Sequence, residues 1–330
     1  MKNKKMEILY LTRKDVIDTG ITHTVAVDTA EKVFTEHGKR NYQNPPKPGL
    51  YLHSDTYLNA MPAYLPGLNA VGIKWVSVFS SNAKLNIPAI MGVIILSDLN
   101  TGQPIAFMDC AYITAQRTAA ASAVAAKYLA NLDSKVLGIV GAGEQARFHL
   151  IVLKDILKQV ELVKIYDKNE NATRKFIDTM GQIISCKIID SPSAEAVIRE
   201  SDVVVTATGN LLGKPPIFLE EWLKEGVYVL PVHNYGWEFS ALENADKFVV
   251  DDWKQYSTNF RTDEYNPHLP PLYAELSEIV TGKKKGRETK VEKIVSMHEG
   301  MALHDIALAS LVFEVAKEKG IGITLPFMEF

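Results

Sequence analysis

Gly141, Gly143 and Ala146 stand at the spacing G-x-G-x-x-A, directly after the apolar run Val136 to Val140. The apolar run predicts a buried strand, and the residues that follow it predict a helix. The two glycines and Ala146 therefore lie in the turn before this helix or at its start. The first glycine permits a tight turn, and the second leaves out the β-carbon that would block a pyrophosphate. The helix N-terminus adds unpaired N–H groups and a positive dipole end. This chemistry suits a phosphate-bearing ligand.

Asp167 follows a second predicted strand, Leu162 to Tyr166, and lies 24 residues after Gly143. A carboxylate at that place accepts hydrogen bonds from an adenine ribose and repels a 2′-phosphate. The alternative interpretation is a turn whose glycines serve packing only. The order of strand, turn, helix, strand and acid favours a dinucleotide site, and the acid favours NAD over NADP. Lys168 and Arg174 lie near enough in sequence to keep NADP open.

Two cations are predicted at positions where a lone charge is unfavourable. Lys74 lies in AVGIKWVSV, a predicted strand with two apolar faces, so its ammonium should be buried and paired with an anion. Arg117 lies in the first turns of an alanine-rich helix, where the helix dipole disfavours a cation unless an anion binds there. With Thr118 it can hold a carboxylate or a phosphate. The structural alternatives are a protein carboxylate for Lys74 and an interdomain salt bridge for Arg117.

Polar residues follow two later strands of the predicted parallel sheet, where ligands bind at the carboxyl ends. Thr206, Ala207 and Thr208 end one strand and are predicted to contact the cofactor. His233, Asn234 and Glu238 follow the strand Val227 to Val232, and one of them is expected to donate or accept a proton. The alternative role is that of polar loop residues that cap the next helix.

Metal ligands are suggested by His298, Glu299, His304 and Asp305, but the spacing is not H-E-x-x-H and no cysteine joins them. No metal site is therefore predicted. These residues are expected to line the start of a helix, with His298 near the nicotinamide. The basic run Lys283 to Arg287 is predicted to be a solvated loop.

Strands and helices alternate from Lys135 onward, which predicts an α/β fold with a doubly wound parallel sheet of Rossmann type. Helices are expected at Leu219–Lys224 and Leu272–Val280, a loop at Ser257–Pro271, and a closing amphipathic helix at Gly300–Glu318. Earlier strands follow one another in a way that predicts an antiparallel meander in a mixed α+β domain. They are Gly49–His53, Ala70–Ser80, Ile90–Leu96 and Ile105–Asp109.

Composition limits the functional classes. The 330 residues leave room for two domains, and a net charge of −3 gives no field that would favour nucleic acid or a membrane surface. Two cysteines supply neither a disulfide framework nor a thiol metal site, which suits a reducing cytoplasm. We find no apolar run long enough for a signal peptide or a membrane span.

With these motifs the chain resembles the ornithine cyclodeaminase/μ-crystallin family over nearly its whole length. The resemblance lies in GIKWVS, GVIILSD, ITAQRTAAASAVAAKYLA, GIVGAGEQA, DVVVTATG, AELSEIVTGKKKGR and EGMALHDIALA. Within the family it is most similar to dehydrogenases of N-substituted amino acids, such as the N-(2-amino-2-carboxyethyl)-glutamate type, in ILYLTRKD, PPKP and VVDDWKQ.

The resemblance implies a homodimer, with a substrate-binding and dimerisation domain at residues 1–118 plus 305–330. Residues 119–304 would form a Rossmann domain for NAD(H) or NADP(H). Lys74 and Arg117 would bind the substrate carboxylate, and Lys47 falls where relatives often have an arginine. The implied cofactor contacts are Gly141, Ala142, Gly143, Glu144, Gln145 and Asp167.

The chain departs from the family pattern at two places. A carboxylate often precedes the Met-Pro that matches Met61-Pro62, but this chain has Asn59 and Ala60. The catalytic aspartate of the cyclodeaminases is absent from HNYGWE, which is followed by a shortened connection, and Glu238 would have to stand in for it.

The functional prediction is an NAD-dependent oxidoreductase that moves a hydride at the α-carbon of a small amino or imino acid. Lys74, His233 and Glu238 are the candidate catalytic residues. One alternative is ornithine cyclodeaminase, which recycles its NAD and forms proline and ammonia. A second is a non-catalytic protein that binds a nucleotide and a small effector. Net turnover of the cofactor distinguishes the first from the other two.

Overall fold

The computed structural model describes residues 5–53, 56–85, 87–209 and 211–329. The chain divides into two compact units. Unit 1 comprises Met1–Arg117 and Met301–Phe330, and unit 2 comprises Thr118–Gly300. Among the described residues, no helix is long and apolar enough to cross a membrane.

The first helices and strands along the chain are β1 (Lys5–Leu11), α1 (Arg13–Asp18), α2 (His23–Gly38), β2 (Gly49–His53), β3 (Thr56–Leu65), β4 (Ala70–Phe79), β5 (Ile90–Ser97), β6 (Pro104–Asp109) and α3 (Ala111–Leu129). Then follow β7 (Val136–Val140), α4 (Glu144–Ile156), β8 (Leu162–Tyr166), α5 (Glu170–Met180), β9 (Lys187–Asp190), α6 (Ala194–Glu200), β10 (Val203–Thr206), β11 (Tyr228–Pro231), α7 (Phe239–Glu243), β12 (Lys247–Val250) and α8 (Trp253–Asn259). The last are β13 (Ala274–Glu275), α9 (Leu276–Val280), β14 (Ile294–Met297), α10 (Ala302–Lys319) and β15 (Ile323–Glu329).

Unit 1 contains a seven-stranded sheet in the order β15-β1-β6-β5-β4-β3-β2. The antiparallel meander is confirmed for β2 through β6, while β1 pairs with β6 in parallel and with β15 antiparallel. The strand β3 was not predicted, because its Pro62 argues against a strand interior. Since β2 pairs only with Thr56 to Asn59, Pro62 lies beyond the residues of β3 that β2 covers. The helix α10 does not close the chain, since β15 follows it.

The inner face of this sheet, which packs against α10, carries Lys74. The register joins it into one row of paired residues across five strands: Met61, Lys74, Ile94, Met108 and Leu11. Each retains at most 4% exposure. Lys74 is thus the one charged side chain in a row of buried apolar residues, as its sequence context predicts.

Unit 2 contains an eight-stranded parallel sheet in the order β13-β12-β14-β11-β10-β7-β8-β9. The order reverses on the two sides of β7, as a doubly wound Rossmann-type sheet requires, so the predicted fold class is confirmed. Strands such as β10 and β11 are buried at every residue, which is typical of parallel sheets covered on both faces.

Three local predictions in unit 2 were wrong in part. Leu219–Lys224 contains only a short 3₁₀ turn at Glu220–Trp222, the predicted loop at Ser257–Pro271 begins inside α8, and β13 precedes α9.

Arg287 does not belong to a solvated loop. Its half-buried guanidinium donates to the carbonyls of Leu129, Val227, Thr289 and Glu292. Only the neighbouring lysines 283–285 are exposed as expected.

Candidate functional site

The first glycine of the turn after β7 is required by the backbone. Gly141 has φ of 103°, and a β-carbon there would lie 2.4 Å from the carbonyl oxygen of Ala207. Its N–H donates to the carbonyl of Tyr166 at 2.8 Å, which ties the turn to the end of β8. Any residue other than glycine would meet both an unfavourable φ and a steric clash. Ala142 is buried beside it.

The second glycine faces open space. Gly143 is the N-cap of α4, and a β-carbon built on it would meet no atom of the described residues within 4 Å. The helix starts at Glu144, two residues before the predicted Ala146, so its first-turn amides lie directly after the turn. The buried Oε1 of Gln145 has no hydrogen-bond partner in the described parts of the chain. An exposed glycine with space beside it at a helix N-terminus fits a pyrophosphate.

Asp167 connects the end of β8 to the glycine turn. One carboxylate oxygen accepts the N–H of Ala142 at 2.9 Å, and the other accepts the N–H of Asn169 at 2.9 Å. The side chain is half-buried. Because an ionised carboxylate has about four lone-pair sites, it can still accept from ribose hydroxyls. The acid predicted at the end of the second strand therefore lies beside the turn.

Residues after β10 and β11 form a second polar group. His233 Nε2 lies 3.1 Å from the Thr208 hydroxyl, and Nδ1 contacts the carbonyl of Tyr235. Burial lowers the pKa of His233 to about 4, so the ring is neutral at pH 7. Since Nδ1 must donate to the carbonyl, Nε2 accepts from Thr208. The hydroxyl of Thr206, in contrast, accepts from the Trp237 indole at 3.1 Å and is fully buried.

Glu238 has a different environment from His233. Its carboxylate accepts the backbone N–H of Glu220 at 3.0 Å, and it occupies the N-cap position of α7. The structure thus brings His233 to Thr208, but it engages Glu238 with the backbone of the preceding turn. Its side chain makes no cap hydrogen bond to α7, so the alternative role of capping the next helix is not met by Glu238 either.

Two further histidines of unit 2, His298 and His149, are neutral because burial lowers their pKa. His298, directly after β14, contacts the Ser296 hydroxyl at 2.7 Å through Nε2, while its buried Nδ1 has no hydrogen-bond partner among residues that the structure describes. Burial lowers its pKa to about 4. His149, which was not predicted from the sequence, contacts the Gln145 carbonyl and the Ser122 hydroxyl, and burial lowers its pKa to about 4. Only its place one position before Leu150, on the inner face of α4, could have signalled it.

The carboxyl ends of β7, β8, β10, β11 and β14 therefore carry the turn, the acid and the polar residues at one edge of the sheet. These residues fit NAD: the open space at Gly143 for the pyrophosphate, Asp167 for the ribose, and the unpartnered Nδ1 of His298 for a polar group.

Unit 1 contains a buried cluster of two cations and one carboxylate, which we call the carboxylate site: Lys74, Arg117 and Asp305. The Lys74 ammonium lies 2.8 Å from one oxygen of Asp305, and Arg117 Nε lies 2.9 Å from the other. None of the three side chains is more than 8% exposed. Lys74 also donates to the Thr114 hydroxyl at 3.4 Å.

The charges of this cluster influence one another. Burial lowers the pKa of Lys74 to about 8, although Asp305 acts in the opposite direction. Burial opposes ionisation of Asp305, but the positive charges of Arg117 and Lys74 outweigh it and hold the pKa of that carboxyl below its usual range. Asp305 is therefore an anion. It is the protein carboxylate that stood as the structural alternative for Lys74, and it pairs with Arg117 inside the same unit.

From the sequence, Asp305 was expected to line the start of a helix, and it lies in the first turn of α10. Its pairing with the two cations was not predicted. Lys47 is half-buried in the segment before β2, and Thr118 is half-buried in α3, directly after Arg117.

Comparison with known proteins agrees with this fold. The model of the ornithine cyclodeaminase/mu-crystallin family matches residues 7–320, and the chain belongs to this family. N-((2S)-2-amino-2-carboxyethyl)-L-glutamate dehydrogenase of Staphylococcus aureus is 33% identical, over 97% of this chain and 98% of that protein. The Δ(1)-pyrroline-2-carboxylate reductase of Thermococcus litoralis, solved with NADH and L-proline, superposes with a TM-score of 0.89 at 31% identity, covering 96% and 99% of the two chains. An archaeal alanine dehydrogenase dimer with bound NAD gives 0.84 at 32% identity, covering 98% and 100%.

Proposed function

We propose that this protein is an NAD-dependent oxidoreductase that acts on the CH–NH or CH–NH2 bond of a small amino or imino acid. Unit 2 is the dinucleotide-binding domain, and unit 1 binds the substrate. The relatives that match nearly the whole chain include dehydrogenases and reductases of such compounds, and two of them are solved with NAD or NADH.

The observation that carries this proposal is the donor set left at the carboxylate site. Arg117 uses Nε for Asp305, and its two terminal nitrogens make no hydrogen bond to any described residue. Lys74 has three N–H donors; it pairs with the Asp305 carboxylate at 2.8 Å and donates one hydrogen bond to Thr114. A guanidinium fork beside an ammonium matches a carboxylate. Binding the carboxylate fixes the adjacent α-carbon, the atom that exchanges hydride.

NAD, when bound, supplies the hydride acceptor, and NADH the donor. The chain's own residues must hold the substrate and move a proton to or from its nitrogen. Among the candidate catalytic groups, Lys74 has a pKa of about 8, which suits proton transfer near neutral pH. His233, with a pKa of about 4, suits a neutral hydrogen-bonding role with Thr208. Glu238 is the weakest candidate because its carboxylate is engaged by Glu220.

The test is a spectrophotometric assay of nicotinamide oxidation and reduction. NADH is offered with Δ1-pyrroline-2-carboxylate, and with pyruvate or 2-oxoglutarate in the presence of amines. NAD is offered with L-proline, L-alanine and N-substituted amino acids. Net cofactor turnover with one of these classes is expected, and it should be lost in Lys74→Met. Ammonia and proline formed from ornithine without net turnover would instead establish the lyase, and tight NADH binding without any turnover would favour a binding protein.

We also propose that the protein is a homodimer formed through the outer face of the unit 1 sheet. The register aligns one row of apolar residues on that face: Pro62, Ile73, Ile95, Phe107 and Tyr10. All five are only half-buried, and Trp75 nearby is 37% exposed. A contiguous apolar face of this kind is typical of a protein–protein interface.

A cytoplasmic location is proposed as well, since the two cysteines are free.

A further inference from the structure

Asp305 makes a separate contact with each of the two cations. It lies in the first turn of α10, is fully buried, and uses one oxygen for Lys74 at 2.8 Å and the other for Arg117 at 2.9 Å. The three residues come from β4, α3 and α10, so no single element fixes their arrangement. The one carboxylate therefore links the two cations to each other.

The cluster carries an uncompensated positive charge. Lys74 and Arg117 supply two positive charges, and Asp305 supplies one negative charge. Within the described parts of the chain, the other groups recorded beside Lys74 are the Thr114 hydroxyl and the Cys110 thiol. Burial raises the pKa of Cys110 to about 11, so the thiol stays neutral at physiological pH. One buried positive charge without a counterion is costly, and a single carboxylate would neutralise it.

We propose that Asp305 is the positioning residue of the carboxylate site, holding Lys74 and Arg117 side by side so that the pair binds one monoanionic carboxylate. This inference rests on the proposed function. Asp305 does not touch the substrate; it acts through the two cations. Its first effect is on placement, because its two oxygens set the spacing of ammonium and guanidinium. Its second effect is on charge, because it keeps Lys74 protonated despite complete burial and leaves the site with a charge of +1.

The experiment measures KM for Δ1-pyrroline-2-carboxylate from pH 6 to pH 9 in the wild type and in Asp305→Asn. Removal of an opposite charge at this distance lowers a pKa by about 1–3 units. Lys74 should then lose its proton at correspondingly lower pH, so the ratio of variant to wild-type KM should rise by about tenfold between pH 6 and pH 8. A ratio that stays constant across this range would show a merely structural pair and overturn the inference.

Asp305→Glu separates placement from charge. It keeps the negative charge but moves it by one methylene group. The KM should rise at every pH while the pH at which binding weakens stays that of the wild type. A wild-type KM in this variant would overturn the positioning role, and the variant also serves if Asp305→Asn does not fold.

The matched control lies in unit 2, where buried Lys247 pairs with Glu292 at 2.9 Å and Glu288 at 3.0 Å. Glu292→Gln weakens a buried lysine–carboxylate pair outside the site and should leave the pH dependence of KM unchanged. NADH affinity, measured by fluorescence, confirms that each variant is folded.

The outcomes separate this inference from the proposed function. Turnover by the wild type with a constant KM ratio overturns only the role of Asp305. If the wild type shows no turnover, the same pH series is measured as calorimetric binding of pyrrole-2-carboxylate to the NADH-saturated protein. A pH-dependent ratio there supports Asp305 although the proposed activity has failed, and absence of binding overturns both.

Discussion

The carboxylate of Asp167 accepts the backbone N–H of Ala142 at 2.9 Å, so the acid at the end of β8 also holds the glycine turn after β7. Its other oxygen accepts from Asn169. One side chain thus holds the glycine turn, and we propose that its remaining lone pairs bind the ribose of NAD. Loss of the carboxylate charge should affect both parts of the nucleotide site.

Asp167→Asn tests this double role. The amide keeps one acceptor oxygen but loses charge-assisted hydrogen bonds, which contribute roughly 1.5–3 kcal/mol each. NADH affinity should fall at least about tenfold, which corresponds to roughly 1.4 kcal/mol. NADPH should lose less, because the repulsion of its 2′-phosphate is removed. Fluorescence titrations with both cofactors provide the measurement, and an unchanged ratio of the two affinities would contradict the assignment.

Gly141→Ala should mainly reduce the stability of the protein, whereas Gly143→Ala should mainly reduce its affinity for NADH. At Gly141 the alanine meets a φ of 103° and the Ala207 carbonyl at 2.4 Å, so the free energy of unfolding should fall by at least about 2 kcal/mol. At Gly143 no protein atom is near, and stability should change by less than about 0.5 kcal/mol.

The affinity for NADH should fall in Gly143→Ala although its stability is unchanged. The new methyl group of Gly143→Ala lies where the pyrophosphate is expected, so NADH affinity should fall in a fully stable protein. Thermal unfolding without nucleotide and NADH titration of both variants test the pair. Full NADH affinity in Gly143→Ala would place the pyrophosphate elsewhere.

The pKa of Lys74 predicts opposite pH trends for substrate binding and stability. Burial lowers that pKa from 10.5 to about 8, so the ammonium that a carboxylate needs is lost above pH 8, and KM should rise there. Between about pH 8 and 10.5 the unfolded chain binds more protons at this group than the folded chain does. The contribution of Lys74 to the free energy of unfolding should therefore increase with pH over the same window.

Denaturant unfolding and steady-state kinetics at matched pH values measure the two trends, with Lys74→Met as the control that should remove the contribution of this group to both. A wild-type KM that does not change between pH 7 and 9.5 would show that the ammonium does not bind the substrate.

Ile95→Asp should dissociate the proposed homodimer. Ile95 lies within the outer apolar row of unit 1, between Ile73 and Phe107, and is half-buried. A charge in the centre of an apolar interface is strongly unfavourable unless it is paired. Light scattering should show a dimer for the wild type and a monomer for the variant. Ile183→Asp, at a 58% exposed position of unit 2, is the matched control and should remain dimeric.

Arg287→Lys should destabilise unit 2 although it keeps the charge. The guanidinium donates to four carbonyls, including Leu129 at 2.7 Å and Glu292 at 2.7 Å. An ammonium cannot reproduce this planar set of donors, and each unmet carbonyl costs about 1 kcal/mol or more. The free energy of unfolding should fall by about 2–4 kcal/mol. A change below about 0.5 kcal/mol would mean that the loop is solvated after all.

Local patterns in the sequence determined much of the secondary structure of unit 2. The strands at Val136–Val140 and Leu162–Tyr166 lie as predicted. These features depend on apolar runs, turn residues and capping residues that are neighbours in the chain. For the same reason, the burial of Lys74 follows from the residues next to it.

Other features required the tertiary structure. The strand β3 was not predicted from the sequence because it contains Pro62. The antiparallel pairing of β15 with β1 joins segments that lie far apart in the sequence. Glu238 has the residue type of a general base, but its contact with Glu220 depends on the path of the loop before α7.

Asp305 shows this limit most clearly. It lies 188 residues after Arg117 in sequence, and only the tertiary arrangement of residues from β4, α3 and α10 brings the two cations onto one carboxylate. The sequence by itself determined that Lys74 and Arg117 need an anion, because a buried charge is costly. Which anion they have was decided by the tertiary structure, since contacts between distant segments depend on the course of the whole chain.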